Sequence, residues 1–163
     1  IRPVFNDADL FTIKVQVKTT GLSTVEDKYK AFIKQAIRAR KDYRGSGTPT
    51  MFTTEDALTE MLLLEDGMGR QLYTDEAALA RKLRVAKIVT IPEMEGRKGA
   101  KGGDLAAVIV NLADYTVGAD KGGAVSMFDD FDIDFNAQKY LIETRCSGAL
   151  TSPYSAMAIE WAA

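Results

Sequence analysis

The last stretch of the chain, from Met127 to Trp161, most constrains the fold, because its pattern predicts long closing strands. In an extended chain, its opening residues place Met127, Asp129 and Phe131 on one side and Phe128, Asp130 and Asp132 on the other. Alternation bounded by Gly and Pro is typical of β-strands. The pattern breaks at Ser147-Gly148 and returns apolar from Tyr154. We therefore expect two long strands, onto which the earlier elements pack.

The composition limits both the class of protein and its chemistry. With 163 residues, 46% hydrophobic and 27% charged, the chain suits one domain with a sizeable core. A net charge of −2 gives no global attraction to nucleic acid or to an anionic membrane. Histidine is absent and Cys146 is the only cysteine, which removes the commonest general base, the commonest metal ligand and any internal disulfide.

The sequence shows no targeting signal. It contains no apolar run of about 18 residues and no signal peptide, and its lone cysteine fits folding in a reducing, intracellular setting. Because the chain begins at Ile1 rather than Met, we expect a processed product or a fragment.

Local patterns predict the elements that precede the closing stretch. Leu10–Lys18 alternates as a half-buried strand does. The strongest helix starts at Ser23, where Ser23-Thr24-Val25-Glu26 has the spacing of a capping box, and continues for about 20 residues to Tyr43. The other predicted elements are helices Thr54–Leu64 and Asp75–Leu83, strand Val85–Ile91, a flexible loop over 93–104, and strand Leu105–Asn111, buried on both faces.

The closing stretch carries an acidic cluster, Asp129, Asp130, Asp132 and Asp134. Counted from Asp130, EF-hand spacing holds for two further ligands, but Phe135 occupies the position of the required glycine. The closing glutamate position is Leu141. A strand with one wet, acidic face fits better than a metal site, so we expect no metal.

The basic residues near the end of the long helix, Arg38, Arg40, Lys41 and Arg44, permit two interpretations. They form a solvated face that stabilises the helix C-terminus, or they meet acidic groups of a neighbouring subunit, for which Asp129–Asp134 is a complementary patch. The residues leave both open. No catalytic arrangement emerges, because Glu143 and Arg145 would share a strand face as an ion pair. We expect neither enzyme activity nor a cofactor.

Four short motifs occur in a characteristic order. They are D-G-x-G-R-x-L after a helix (Asp66–Leu72), a strand ending I-P-E-M, a Y-x-V-G approach to a strand, and R-x-x-G-x-L-x-x-P-x-S-A (Arg145–Ala156). Together with the order of elements, they resemble the major capsid proteins of tailed bacteriophages with the HK97 fold. The resemblance covers nearly the whole chain.

This resemblance implies an α+β, HK97-like capsid fold with two domains. A peripheral domain would hold a long spine helix and a small sheet, and an axial domain a mixed sheet flanked by helices. Residues 1–47 would form the end of an extended loop, the peripheral strand and the spine helix, and 48–135 the axial domain. Residues 136–163 would form the long peripheral strand, beside the spine helix near 137–146, and the strand returning to the axial domain.

The resemblance also implies contacts between subunits. Loops Gly96–Gly103 and Gly118–Gly123 would meet around fivefold and sixfold axes. Family members carry a longer N-terminal arm and extended loop, of which Leu10–Lys18 would be only the return limb. Some members cross-link neighbours between a lysine of that loop and an asparagine, and Asn136 lies about where such an asparagine would be.

The leading functional interpretation is a structural capsid subunit. It would assemble through pentamers and hexamers into an icosahedral phage or prophage head enclosing double-stranded DNA, without sequence-specific contact. Its place would be the virion, after assembly in the bacterial host cytoplasm; its partners would be other copies, with a scaffold or protease during maturation and no membrane. Two alternatives stay open: an encapsulin-like nanocompartment shell, and a small α/β ligand- or metal-binding domain.

Overall fold

Strand β4 (Leu105–Val110) is the centre of the fold, and all 6 of its side chains are buried. The computed structural model describes residues 11–119 and 125–162. The helices are α1 Val25–Ala39, α2 Glu55–Leu62 and α3 Glu76–Leu83. The other strands are β1 Thr12–Val17, β2 Thr50–Thr53, β3 Ile88–Thr90, β5 Tyr115–Ala119, β6 Ser126–Asp132, β7 Ala137–Glu143, β8 Cys146–Leu150 and β9 Ala156–Trp161.

Five of these strands form one mixed sheet, in the order β1-β9-β4-β2-β3. β4 pairs antiparallel with β9 and β2, whereas β1 runs parallel to β9 and β3 parallel to β2. A strand flanked on both sides and covered on both faces suits a continuous apolar run. The prediction of a strand buried on both faces over Leu105–Asn111 is confirmed, and the strand ends one residue earlier.

Alternate residues of β4 pack on opposite faces of the sheet. Ala107 and Ile109 join the cluster that contains the helices. Val108 and Val110 join a second cluster on the other face. The other buried members of this second cluster are Phe52, Met94, Leu105, Leu150, Ala156 and Ala158.

Helix α1 packs in the helix-side cluster through Phe32, Ile33 and Ala36. The same cluster contains buried residues of α2, α3, β4 and β9. One core therefore spans the three predicted segments 1–47, 48–135 and 136–163, and their division into peripheral and axial domains stays a prediction. None of the helices in the described residues is long and apolar enough to span a membrane.

Helix α1 begins one residue later than predicted. Thr24 is the N-cap, and its side-chain oxygen accepts a hydrogen bond from the N–H of Asp27 at 3.2 Å. The capping box predicted for Ser23 and Glu26 is therefore wrong. The neighbouring threonine has the same hydroxyl, so the sequence pattern did not distinguish the two registers.

Helix α1 also ends earlier, at Ala39 after 15 residues. Arg40 begins a short 3-10 turn, and its guanidinium lies 4.2 Å from the centroid of the Tyr43 ring. Tyr43 is extended, with φ −70° and ψ 128°, and its ring fills the space beside Gly45, where a Cβ would collide with it. The chain therefore leaves the helical conformation at Tyr43, after the 3-10 turn that follows α1.

Helices α2 and α3 begin as predicted. The side chains of Thr54 and Asp75 each accept a hydrogen bond from the backbone N–H three residues on. The strand predicted over Val85–Ile91 is shorter, because its first residue closes α3 instead. Arg84 is left-handed, with φ 57°, and the Val85 N–H donates to the Ala80 carbonyl oxygen at 3.0 Å.

Strand β1 confirms the strand predicted within Leu10–Lys18, with one exception in its facing. Ile13, Val15 and Val17 belong to the helix-side cluster, as the alternation predicts. Phe11, predicted on the same face, packs against the second cluster. Phe11 lies in the turn before β1, and its carbonyl oxygen accepts a hydrogen bond from the N–H of Ala156 in β9 at 3.4 Å. Leu10 lies outside the described residues.

The closing stretch folds into four strands rather than two. β6 pairs with β7, β8 pairs with β5, and β9 lies between β1 and β4. The break predicted at Ser147-Gly148 is wrong, because both residues lie inside β8. Gly148 occurs there because a Cβ would collide with the Tyr115 ring. Turns lie instead at 133–136 and 153–154, and residues 144–145 form an irregular connection between β7 and β8.

The D-G-x-G-R-x-L motif forms a turn held by one carboxylate. Oδ1 of Asp66 accepts hydrogen bonds from the N–H groups of Met68, at 2.8 Å, and Arg70, at 3.1 Å. Gly69 has φ 77°, a left-handed conformation that glycine adopts without strain. The hydrogen bonds from Arg70 and Met68 lower the pKa of Asp66 below its ordinary value of 3.8.

We expect Asp66→Ala to destabilise this turn at neutral pH and to matter less in acid. A depressed pKa means that the carboxylate stabilises the folded state above 3.8, and that this contribution is lost as the pH falls through the lower folded value. Urea unfolding of wild type and variant, from neutral pH downward, should show their free energies of unfolding converging. A difference that stays constant with pH would contradict this account.

We expect Ile109→Ala to lower the free energy of unfolding by about 2–5 kcal/mol, because it opens a cavity at the centre of the sheet. Ile109 is 1% exposed, whereas Ile133 is 84% exposed. The matched change Ile133→Ala should stay within about 0.5 kcal/mol of wild type. Urea unfolding followed by circular dichroism measures both, and equal losses would contradict the assigned core.

Candidate functional site

The β6–β7 hairpin exposes apolar side chains on both of its faces. Its strands pair from Ser126 with Glu143 to Asp132 with Ala137. Its exposed large apolar residues are Met127, Phe128, Phe131, Ile133, Phe135, Tyr140, Leu141 and Ile142. Contiguous apolar surface of this kind marks an interaction site.

One face of the hairpin is the more apolar. Cross-strand register places Met127 opposite Ile142 and Asp129 opposite Tyr140, with Phe131 following on the same side. We call these four apolar residues, which surround Asp129, the apolar face of the hairpin. Because the other face also carries exposed apolar residues, the prediction of one wet, acidic face is wrong.

The long strand that the resemblance placed beside the spine helix, near 137–146, lies elsewhere. β7 pairs with β6, and its residues are exposed apart from the half-buried Glu143. Its partner is a neighbouring strand of the same hairpin rather than α1. This expectation is therefore corrected.

The four aspartates predicted as a contact all lie on the hairpin, but they do not converge. Asp132 forms an ion pair with Lys139 and accepts a hydrogen bond from the N–H of Asp134 at 3.0 Å. Asp130 accepts one from the N–H of Phe131 at 2.8 Å. In the described part of the chain, the carboxylates of Asp129 and Asp134 have no cationic partner. Nor does that part hold three carboxylate or thiol groups placed to bind a metal.

Asn136 lies in the hairpin turn, with φ 47°. Asparagine adopts this left-handed conformation more readily than most residues, and a cross-link at Asn136 stays a prediction. The ion pair predicted between Glu143 and Arg145 is confirmed, with Nη2 and Oε1 2.8 Å apart. Cys146 is exposed at the start of β8.

The basic residues predicted as the complementary contact are of two kinds. Arg38 and Lys41 are exposed and have no ion pair within the described residues. Arg40 donates from Nη2 to the Arg84 carbonyl oxygen at 3.3 Å, and burial lowers the pKa of its guanidinium. The Arg44 guanidinium lies 5.9 Å from the centroid of a tyrosine ring. Arg38 and Lys41 are thus the freer pair.

A groove between α1, α3 and the segment after α2 combines an apolar floor with a cationic rim. It has a volume of about 510 Å³. The floor consists of Ile33, Ile37, Leu64, Leu72 and Tyr73, and the rim of Lys30, Lys34, Arg38 and Lys82. We call it the helix groove. The residues from α1 recur every three or four positions and so share one helix face.

Two cations in this region were missed by sequence reasoning. Lys82 and Arg84 line a smaller cavity of about 190 Å³ with Arg40 and Lys41. Both lie at the end of α3, where cations are favourable, and that preference was the available signal. They lie near α1 because the helices pack together, and local sequence patterns do not predict that packing.

The Gly- and Lys-rich loop over 93–104 is anchored rather than flexible. Glu160, 2% exposed, accepts a hydrogen bond from the N–H of Lys101 at 3.1 Å. A Cβ at Gly99 would collide with this carboxylate, and one at Gly103 with the backbone of β9. These glycines let the loop lie directly against the end of the sheet.

The second predicted loop, Gly118–Gly123, is described only in part. Gly118 and Ala119 belong to β5, and 120–123 lie outside the described residues. The Y-x-V-G motif forms most of strand β5, and β6 is the next strand that the structure describes.

Comparison with known proteins gives matches among solved structures. No protein-family model and no curated protein sequence matches the chain. The capsid of an empty GTA particle matches with a TM-score of 0.58 and 15% identity, over 94% of this chain and 50% of that chain. A virus-like particle from Pyrococcus furiosus matches at 0.56 and 12%, over 98% and 59%. A structure from Mycobacterium phage Ogopogo matches at 0.54 and 11%, over 93% and 54%.

These matches establish the fold. The chain is a mixed α/β protein with the HK97-like fold of capsid proteins, so the resemblance carried by its motifs is confirmed. The chain spans about half the length of the proteins it matches, from 50% to 59% of each. At identities of 11% to 15%, the similarity fixes no activity or partner.

We expect backbone amides of the hairpin to exchange with solvent much faster than those of β4 and β9. The hairpin is exposed on both faces, and an isolated two-stranded hairpin is marginally stable in water. Hydrogen exchange of the unassembled chain, read by mass spectrometry, checks this. Equal protection in the hairpin and in β4 would show that the hairpin has a partner within the chain.

Proposed function

We propose that the chain is a subunit of a self-assembling protein shell. The observation that carries the proposal is the β6–β7 hairpin, which one copy leaves exposed with apolar side chains on both faces. Covering such a surface with a partner removes apolar area from water, which is favourable. In a shell every subunit has neighbours, and the shared fold with the capsid of a GTA particle supports this setting.

The mechanism is repeated contact between copies rather than turnover. Closed symmetric assembly presents the same surfaces at every subunit, here in the proposed pentamers and hexamers. Weak individual contacts become stable together, because each further contact within a ring or shell is effectively intramolecular. Modest complementarity between two surfaces is therefore sufficient for a stable assembly.

We assign the free charges to these contacts. Arg38 and Lys41 are exposed cations on and after α1, and Asp129 and Asp134 are hairpin carboxylates without cationic partners in the described residues. Opposite charges of this kind steer encounter and set specificity more than they add affinity. Arg40 and Arg44 hold the local chain and contribute less.

The finer proposal is a phage or prophage head protein. The matches to the capsid of a GTA particle and to a structure from Mycobacterium phage Ogopogo support it. The shell would be icosahedral and enclose double-stranded DNA without sequence-specific contact. It would assemble in the host cytoplasm, with a scaffold or protease during maturation, and remain in the virion.

A second candidate is an encapsulin-like compartment that encloses protein cargo. The match to the virus-like particle from Pyrococcus furiosus, which covers 98% of this chain, favours it. Both candidates require the same contacts between subunits, and they differ in what the shell contains.

Electron microscopy and velocity sedimentation of the full-length protein test the shell. We expect closed shells or capsomer rings, since the exposed hairpin leaves the single copy incomplete. Dispersed monomers at all concentrations and salt conditions would refute the proposal.

The contents of shells purified from the native cell separate the two candidates. Nuclease-protected double-stranded DNA supports a phage head, whereas a co-purifying protein without DNA supports a compartment. Shells formed in a heterologous host are the control, because they report adventitious contents.

A further inference from the structure

The apolar face of the hairpin and the helix groove have complementary chemistry. The hairpin presents four large apolar side chains around one carboxylate. The groove presents an apolar floor inside a ring of cations, with no acidic residue in its lining. Each surface is open in the single copy, so the hairpin does not cover the groove of its own chain.

We propose that the apolar face of the hairpin of one copy docks in the helix groove of a second copy. The inference rests on the proposed shell function and identifies the two surfaces that meet. It brings Met127, Phe131, Tyr140 and Ile142 against the groove floor. It brings Asp129 to the cationic rim.

The dimensions of the two surfaces agree. Along α1, the groove runs from Lys30 to Arg38, which at about 1.5 Å per residue spans about 12 Å. Along β6, the apolar face runs from Met127 to Phe131, which at about 3.3 Å per residue spans about 13 Å. A pair of strands and a helix of this length therefore match along their axes.

The charges without partners also agree. Lys34, Arg38 and Lys82 have no carboxylate partner in the described residues, whereas Lys30 pairs with Glu26 at 3.2 Å. On the hairpin, Asp132 is satisfied by Lys139, and Asp129 is not. Docking thus pairs charges that the single copy leaves free, without disturbing those already paired.

The hairpin turn extends the same complementarity. Ile133 and Phe135 are 84% and 78% exposed, and Asp134 between them has no cationic partner within the described residues. With the apolar face on the groove floor, this turn reaches the groove margin, where Lys82 contributes a cation from α3. The hairpin therefore presents to the groove of the second copy an apolar surface with carboxylates at its edge.

Charge reversal in the full-length protein tests the docking. One variant reverses the hairpin, with Asp129→Lys and Asp134→Lys, and the other reverses the groove, with Lys34→Glu and Arg38→Glu. In each variant the reversed residues face charges of their own sign across the proposed contact, so each variant alone should lose assembled material by about tenfold or more in sedimentation. A mixture of equal amounts should recover association between the two variants, because the hairpin of each meets an oppositely charged groove in the other.

A matched control reverses two exposed charges away from both surfaces, Lys87→Glu with Glu93→Lys, and should assemble as wild type does. If wild type assembles and both reversed variants also assemble, the docking is wrong and the shell function stands. If wild type never assembles, the shell function itself fails. If the groove variant loses only co-purifying nucleic acid, the rim binds nucleic acid and the docking is wrong.

Disulfide trapping gives a second measurement that does not depend on charge reversal being tolerated. Two full-length chains, one with Asp129→Cys and the other with Arg38→Cys, are mixed in a Cys146→Ser background. Each chain carries one thiol, so a disulfide that joins hairpin to groove must link different copies. The expected result is a mixed dimer under oxidation, and its absence from assembled material would overturn the proposal.

Discussion

The pairing of β9 with β4 is the interaction on which the rest of the structure depends. β9 comes from the end of the chain and lies between β4 and β1, so it supplies a hydrogen-bonding partner to both. Met157 and Ile159 face the helices, and Ala156 and Ala158 face the second cluster. One strand thus completes the sheet and contributes to both of its cores. Without it, β1 would have no partner in the sheet.

This closure leaves the β6–β7 hairpin, between β4 and β9, outside the two core clusters. The chain leaves the sheet after Val110, forms β5, β6, β7 and β8, and returns at Ala156. Among the described residues of this excursion, Tyr115 near its start and Leu150 near its end belong to or pack against the second cluster. The hairpin between them can carry apolar residues at exposed positions because the packing of the core does not select its sequence. Such a segment can therefore carry a binding surface with little effect on the stability of the fold.

The elements that local chemistry specifies were predictable. Thr54 and Asp75 mark helix starts because their side chains satisfy free N–H groups. The apolar run of β4 indicates burial on both faces. What local patterns missed depends on how side chains pack in the folded chain. Gly148 was predicted as a break, but it lies in a strand where the Tyr115 ring occupies the space that a Cβ would need. Tyr43 was predicted as helical, but it is extended and its ring packs beside Gly45.

The candidate surfaces were predictable in composition and not in arrangement. Acidic residues near 129–134 and basic residues near 38–44 are evident from the sequence, and both lie at the surface. The apolar face of the hairpin was not foreseen, because alternation predicts that one side of a strand is buried. In β6 the alternate residues are exposed in the single copy. The groove was not foreseen either, because Leu72, Tyr73 and Lys82 reach α1 only through helix packing.

The mixture of aspartate with phenylalanine and isoleucine in the hairpin serves two opposing requirements. A hairpin that must be covered in an assembly needs apolar side chains, yet exposed apolar strands associate without specificity before assembly. Carboxylates within the same strand keep the free surface hydrated and repel other acidic hairpins. They then favour a partner whose apolar floor is edged with cations, as the helix groove is. In the proposed docking, charge on the hairpin selects the partner, and apolar area holds it.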